Sequence, residues 1–587
     1  MKKYTEDLRS TLAKLPVPDL ENTLKELNEW VKPVVSSEEL LQFETFSERF
    51  AKQEGPVLQR TLEEHAQNTT GSWLAPFWIK SYLNTRGNLQ SETNFSLTIR
   101  PEYHQHLGSI NSKAAQIIER LTLIFLSLIN ETYPLELDPK GNNVDMSYYR
   151  NLFKSCRLPD SEEDQFYVGD DSPENNHIIV IKDSNFYQLK VTDNKGKAIS
   201  ADELHANLCS LSADKNEQGF GVESLSGANR NLAHQTYEEL GKKSENQHIL
   251  HLIKNALFII GLPSSAPEST QDQMKEGLLG WQDQWFSKTM QLLIHENGAV
   301  SLNFEHTAID GVPVLNVLSQ VFTECSAAPL IEKRPANPLL TKLDWLLTPE
   351  AMDLLDQCKE EVQQVYEGHA FVHHEFSHFG KGLIKKAKIS PDAFFHIALA
   401  LAQYEQFGQL QSVYEPVAMR HYYEGRTASA RSISQSKKEL VSYWFQEKQA
   451  PDRSLLIEKI HQAADAHTQR IGKCQMGQGV ERHLYGLSCI NQLTQAQPDK
   501  TDYFFQAASL KKMQSDFISS TGIPFPILAS FTFGPVNPDG FGLYYSLLND
   551  RIIIDISAKK EQQNTAKELS EKIVKYLEQL AELLDLV

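Results

Sequence analysis

The chain has 587 residues, of which 41% are apolar, 23% charged and 9% aromatic, with 57 basic side chains against 76 acidic ones for a formal charge of −19. That length exceeds the ~250–300 residues at which a single core stops growing, so more than one core is expected, and the composition excludes wholesale disorder or a collagen-like chain. The acidic balance excludes a general nucleic-acid binder, which needs many cationic phosphate contacts, but leaves room for an anionic small ligand on a local basic patch.

In chain order, the first ~55 residues read as helical, with Leu20, Leu24 and Leu27 at helix spacing after Pro16 and Pro18. Residues 73–84 are rich in aromatics, and Ala114 to Asn130 is an amphipathic helix pattern. Two strands follow at 177–183 and 185–193, closed by Asn194-Lys195-Gly196. Segments 200–212 and 226–261 read as helices, and 262–280 as a loop. QLLIHE (291–296) and AVSLNFEH (299–306) flank Asn297-Gly298, a strong hairpin signal. The proline-punctuated stretch from Arg334 to Pro349 is the expected interior boundary. Ser390-Pro391-Asp392 opens a helix with a cap, a proline at its first position and an acid in its first turn, and Gly408 stops it. Near the end, ILASFTFG, GLYYSLL and RIIIDISA are three strands, before a last amphipathic helix over 562–585. Mixed strands and helices in two blocks point to a two-domain α/β or α+β chain.

Six cysteines (Cys156, Cys209, Cys325, Cys358, Cys474, Cys489) lie far apart with no CxxC pair, as for reduced, buried thiols rather than a disulfide framework or zinc ribbon. The longest apolar run, Leu121 to Ile129, is too short to span a bilayer. The start MKKYTEDLRS has no signal-peptide core, and LLDLV is no peroxisomal tripeptide. A soluble, cytoplasmic protein without membrane insertion is expected.

Four segments carry candidate chemistry. In NFEHTAIDG, His306 ends a strand four residues before Asp310-Gly311, and an imidazole near its ordinary pKa of ~6.5 suits removal of a proton from a hydroxyl or thiol. The same pattern also fits a surface or satisfied core histidine. Lys381, Lys385, Lys386 and Lys388 precede the helix start at Ser390, a combination suited to a phosphate-bearing ligand or to a solvated basic loop. Tyr414, Arg420, Arg426, Thr427 and Arg431 offer hydroxyls and guanidinium groups to a carboxylate, or pair with neighbouring acids. Ser519, Ser520 and Thr521 could donate to a developing oxyanion, or form an ordinary turn. The pairs His104/His106 and His248/His251 and the group His373, His374 and His378 lack a supporting Cys or acid at zinc spacing, so no metal is expected.

Taken in order, these segments resemble the choline/carnitine O-acyltransferase family along almost the whole chain. LPVPDLENTLKELNEWVKPVVSSEEL (15–40), GSWLAPFW, MSYYRNLFKSCRLP (146–159), the NFEHTAIDGVPV core, KAKISPDAFFHIALALAQYEQFG, VYEPVAMRHYYEGRTASARSIS, VERHLYGL (480–487) and FTFGPVNPDGFGLYYS carry the likeness. The resemblance implies an α/β fold of two chloramphenicol-acetyltransferase-like domains with mixed sheets and flanking helices, and an active-site tunnel at their interface. It divides the chain into a helical segment at 1–55 packing with the C-terminal domain, an N-domain at 56–345 with the catalytic histidine, and a C-domain at 346–587 with the CoA and carnitine sites.

The resemblance also implies roles. His306 becomes the general base that takes the proton of the carnitine hydroxyl, or of the CoA thiol in reverse, with no acyl-enzyme. Asp310 becomes structural, paired with Arg420. Lys381, Lys385 and Asp392 match the CoA-binding positions, and Tyr414, Thr427 and Arg482 the three groups that hold the carnitine carboxylate. Choline has no carboxylate to pair with Arg482, so carnitine is the expected acceptor. Ser519 and Thr521 take the oxyanion positions, with Thr521 where the family has serine. Val480 and Glu481 depart from the usual lead-in to Arg-His-Leu. Phe531, three residues before Gly534, falls where acyl length is limited, and its ring implies short acyl groups, acetyl first. A monomer using acyl-CoA as co-substrate, with no other cofactor, follows from the family. A choline or related amino-alcohol transferase, and a non-catalytic CoA- or carnitine-binding homologue, remain the alternatives.

Overall fold

The computed structural model describes residues 1–213, 218–324, 329–331, 335–446, 452–494 and 500–587. The expectations for Cys325 and for a boundary beginning at Arg334 fall on residues outside these. Two units emerge: Met1–Thr11, Ile79–Phe371 and Phe525–Gly534 form the first, and Leu12–Trp78, Val372–Pro524 and Pro535–Val587 the second.

The first unit is built on an eight-stranded mixed sheet. Its spatial order is Leu528–Phe533, Phe95–Ile99, Val300–Phe304, Met290–Ile294, Ile259–Gly261, His177–Lys182, Asn185–Lys190 and Leu340–Leu343. The Asn297-Gly298 hairpin forms, with Gly298 at φ +78°. Register places Phe95 opposite Phe304 on one side and Phe533 on the other, and Leu97 opposite Leu302 and Phe531. Because side chains alternate along strands, these apolar residues share one face of the sheet. The other face carries Ser96, Thr98, Ser301, Asn303, Ser530 and Thr532, all buried. Helix Thr270–Leu279, capped by Ser269 at the Asp272 amide, closes over that face. Asn303 donates to the Gly277 carbonyl at 2.9 Å, and a Cβ on Gly277 would stand 2.5 Å from Ser96 Oγ.

The second unit has a six-stranded mixed sheet, in the order His369–Phe376, Ile552–Lys559, Phe541–Leu547, Ile518–Gly522, Val413–Ala418 and Thr427–Arg431. Helix Pro391–Phe407 is buried from Ala393 to Gln403, mostly by apolar side chains, and packs with the last helix, Gln563–Leu583. Ser390 caps its start, and Gly408, at φ +69°, ends it in the left-handed conformation favoured there. Helices Leu20–Val31, Ser37–Lys52 and Gly55–Asn68 join this unit's core through Leu27, Trp30, Phe43, Phe50 and Leu62.

Several sequence expectations are corrected. Residues 262–280 are not all loop, since the capped helix lies within them. The helical reading of 226–261 breaks into Arg230–Leu240, Ser244–Asn255 and the strand Ile259–Gly261, whose apolar run is buried in the middle of the sheet. The expected elements include no strand at Phe95–Ile99, although Phe95, Leu97 and Ile99 alternate there with Ser96 and Thr98 over five residues. Residue 346 does not begin the second unit. Helix Pro349–Glu367 buries Ala351, Leu355 and Cys358 in the first unit's core beside Phe186 and Trp285, so the division falls at 371/372. Residues 56–78 go with the second unit rather than the first, and the strand Leu528–Phe533 returns from the C-terminal part of the chain to the first unit's sheet. Among the described residues, no helix is long and apolar enough to cross a membrane, and Cys156, Cys358 and Cys474 are free thiols.

Candidate active-site residues

In the first unit, His306 stands two residues past the strand Val300–Phe304, in phase with Phe304. Its ring stacks on Tyr82 at 5.4 Å between centroids and 18° between planes, and meets the edge of Phe95 at 5.1 Å and 76°. Phe95 itself stacks on Phe304 at 5.2 Å and on Phe531 at 4.9 Å. Phe531 is buried and lies on the same sheet face as Phe95.

The backbone around His306 is held by Glu305. Both carboxylate oxygens accept from the Thr307 amide at 3.2 Å, and Oε1 also accepts from the Thr307 hydroxyl at 2.6 Å, so the side chain spans the histidine. Burial pushes the Glu305 carboxyl up, and the Arg157 guanidinium, 3.8 Å away, opposes the shift. Arg157 and Arg230 both bond Asp164, at 2.7 and 2.6 Å. With Arg86 at 3.1 Å on the other Asp164 oxygen, three cations and two carboxylates meet here, the paired condition under which buried charge is tolerated. Asp310 sits half-buried just before helix Gly311–Glu324.

In the second unit, alternation collects the predicted binding groups. Tyr414 pairs with Arg431 and with Ser519, Ala418 with Thr427, and Thr521 with Tyr544. Paired residues lie on one face, so Tyr414, Thr427, Ser519 and Thr521 share it. Ser520 points elsewhere and donates to the Tyr414 carbonyl at 2.6 Å. Helix Val480–Leu493 brings Arg482 to this group in its first turn. Its Nε donates to the Thr427 carbonyl at 3.0 Å, its Nη2 approaches the Tyr414 hydroxyl at 3.4 Å, and its guanidinium lies 3.7 Å over the Trp78 ring. Burial pushes the Tyr414 phenol up, and the Arg482 charge counters it. Arg431 is committed otherwise: it bonds Glu481 at 2.8 and 3.0 Å and pairs with Asp516. Glu481, the departure beside Arg482, therefore has a structural task. Arg420 follows the strand Val413–Ala418, half-buried in a loop that runs to the buried Arg426.

Lys381 opens a four-residue helix whose amide donates to the Leu548 carbonyl at 2.8 Å, and Lys385 and Lys386 are exposed in the following turn. A Cβ on Gly380 would meet that carbonyl at 2.4 Å, which explains the glycine. Past Lys388, in left-handed conformation at φ +58°, the chain enters helix Pro391–Phe407. Asp392 lines an open cleft of about 270 Å³ with Ser390, Glu415, Val417, His467 and Gln475.

Residues 15–579 match the choline/carnitine O-acyltransferase family. The chain belongs to that family. It is an acyltransferase by that membership. A carnitine O-acetyltransferase from Homo sapiens is 28% identical over 598 residues, covering 97% of this chain and 92% of that protein. One from Columba livia is 28% identical over 573 residues, covering 94% and 89%. A mitochondrial carnitine O-palmitoyltransferase 2 from Bos taurus is 25% identical over 622 residues, covering 99% and 93%.

Around Asp392 lies a polar network that sequence reasoning missed. Asp392, His396, Glu415 and His467 bring four possible metal-ligating atoms within 4.8 Å of one another. The hydrogen bonds assign those atoms to protons. Lys437 donates to His467 Nδ1 at 2.9 Å, so His467 Nε2–H donates to Asp392 at 2.8 Å. Tyr545 donates to Asp392 at 2.6 Å, so its oxygen accepts from His396 Nε2–H at 3.0 Å. Both Nε2 atoms are donors and cannot ligate a cation in this state. Burial and the neighbouring Asp392 push Glu415 well up, making it the protonated acid of the pair. Burial would also raise Asp392, but the His467 hydrogen bond and the nearby histidines hold it down as the carboxylate. Burial lowers His467 to about 4. The members come from helices Pro391–Phe407 and Arg453–Gln475 and the strand Val413–Ala418, where Glu415 alternates with Tyr414. No local spacing in the sequence announces such a set. Trp78 was equally hidden inside an aromatic-rich helix.

Proposed function

We propose that the protein is a carnitine O-acyltransferase that reversibly moves a short acyl group, acetyl first, between coenzyme A and the hydroxyl of carnitine. The observation that carries the reading is Arg482, a buried guanidinium against the sheet face of Thr427 and Tyr414, and with no acid among its hydrogen-bond partners in the described residues. A planar fork with donors to spare fits a substrate carboxylate, and choline would leave that charge unpaired.

In this reading the carboxylate of carnitine pairs with Arg482, and the hydroxyls of Tyr414 and Thr427 donate to it. Neutral His306 removes the proton of the carnitine hydroxyl as that oxygen attacks the acyl carbonyl, and returns the proton to the departing CoA sulfur. In reverse it takes the thiol proton. Holding both substrates together replaces a covalent intermediate. Ser519 and Thr521 donate to the oxyanion, and the extra methyl of Thr521 narrows its rotamer choice. Lys381 and Lys385 hold the CoA phosphates, Asp392 borders the cleft that takes the rest of CoA, and Asp310 and Arg420 keep the structural role the family resemblance gives them. The chemistry requires only the two substrates.

The test is His306→Ala. Loss of a general base lowers kcat by about 10²–10⁴-fold, while calorimetry should find acetyl-CoA bound as tightly as before. Retained turnover would remove His306 from the mechanism.

A further inference from the structure

Three aromatic rings lie in a row across three adjacent strands of the first unit. Phe304, Phe95 and Phe531 come from neighbouring strands in that order, with planes 17° and 7° apart and centroids 5.2 and 4.9 Å apart. His306 meets the edge of the middle ring, Phe95. We infer that Phe95 is a second determinant of acyl-chain length, and that it and Phe531 act as one plug. The inference rests on the reading that the acyl group reacts beside His306.

The argument is steric. An acyl carbonyl placed within reach of the imidazole has Tyr82 covering one face of the base and the edge of the Phe95 ring beside it. A chain growing away from the carbonyl along this sheet face meets Phe95 as well as Phe531. Truncating Phe531 alone leaves Phe95 stacked on Phe304, which holds its ring in place. Truncating Phe95 alone leaves the Phe531 ring, with Phe533 at 6.3 Å beside it, still filling the space behind. Neither ring should therefore release the restriction without the other.

The experiment measures kcat/KM for acetyl-CoA and octanoyl-CoA with carnitine in the wild type, Phe531→Ala, Phe95→Ala, Phe95→Leu, and each Phe95 variant combined with Phe531→Ala. One methylene in an apolar pocket changes discrimination by about tenfold or more, so six leave ample range. The expected result is a rise in the octanoyl-to-acetyl ratio of at most about tenfold in each single variant, and of about 100-fold or more in the Phe95→Ala, Phe531→Ala pair. Phe95→Leu, which keeps most of the core volume, should give a smaller rise of the same sign in combination if the alanine variants do not fold. A pair no better than Phe531→Ala alone, or a full gain from Phe531→Ala by itself, would overturn the inference while leaving acetyl transfer by the wild type intact. No acetyl transfer by the wild type would instead overturn the functional reading, and this inference with it.

Discussion

Replacing Arg482 with glutamine removes one positive charge while keeping a donor that can reach the Thr427 carbonyl. The guanidinium has only 8% of its residue surface exposed, bonds Thr427 at 3.0 Å and lies 3.7 Å over Trp78. Little water therefore screens its pairing with a bound carboxylate. Removing one partner of a desolvated, hydrogen-bonded charge pair costs about 2–5 kcal/mol, and a value near 3 kcal/mol is about 150-fold in affinity. The cation–π contact with Trp78 is lost as well, about 1 kcal/mol in the folded protein, but this affects stability and not carnitine specifically. Steady-state thiol release, with carnitine varied at saturating acetyl-CoA and then the reverse, separates the two. The carnitine KM should rise by about 100-fold while the KM for acetyl-CoA stays within about twofold. Equal rises in both, or an unchanged carnitine KM, would refute the carboxylate site.

Glu305→Gln keeps the size of the side chain that spans His306 but loses its charge toward Arg157, so kcat should fall by about tenfold or more with both KM values nearly unchanged; an unchanged kcat in a folded variant would make Glu305 purely structural. Lys381→Ala with Lys385→Ala should raise the KM for acetyl-CoA by about tenfold and flatten its dependence on ionic strength, leaving carnitine unaffected; an unaltered salt dependence would move the phosphate site elsewhere. His483 accepts from Thr23 and donates to Gln59, each at 2.8 Å, and burial lowers its pKa from 6.5 to about 4. In the unfolded chain it binds a proton that the folded protein refuses, so stability holds above pH 6.5, declines between pH 6.5 and 4, and levels off below, by about 3 kcal/mol for this group. Chemical denaturation across that range should give a shallower decline for His483→Gln, and parallel curves would show that the acid sensitivity comes from other groups.

How far the sequence could be read depended on how local each signal was. The Asn297-Gly298 hairpin and the Ser390-Pro391 helix start are encoded by adjacent residues and could be placed closely. Tyr414 and Thr427, joined by an antiparallel ladder, were found through motif resemblance, and alternation then explains why they share a face with Ser519. The strand Phe95–Ile99 alternates apolar and polar residues, but over only five positions, and nothing local ties it to the strand before His306, against which it supplies a ring. The strand Leu528–Phe533 reads like its neighbours in sequence but pairs with Phe95–Ile99, a choice set by long-range register. The network of Asp392, His396, Glu415, His467 and Lys437 depends on elements up to 75 residues apart in the Asp392–His467 bond alone, so only the folded chain reveals it. Glu305 shows the same limit at short range: its neighbour His306 drew attention as a base, while the acid's role depends on Arg157.

The most direct test of the whole account is acyl-CoA-dependent release of free thiol by the wild type and His306→Ala, with carnitine or choline as acceptor and acyl groups from acetyl to palmitoyl. The account predicts release by the wild type with carnitine and short acyl groups, and almost none by His306→Ala. Release only with choline or only with long chains, or turnover that survives His306→Ala, would contradict it.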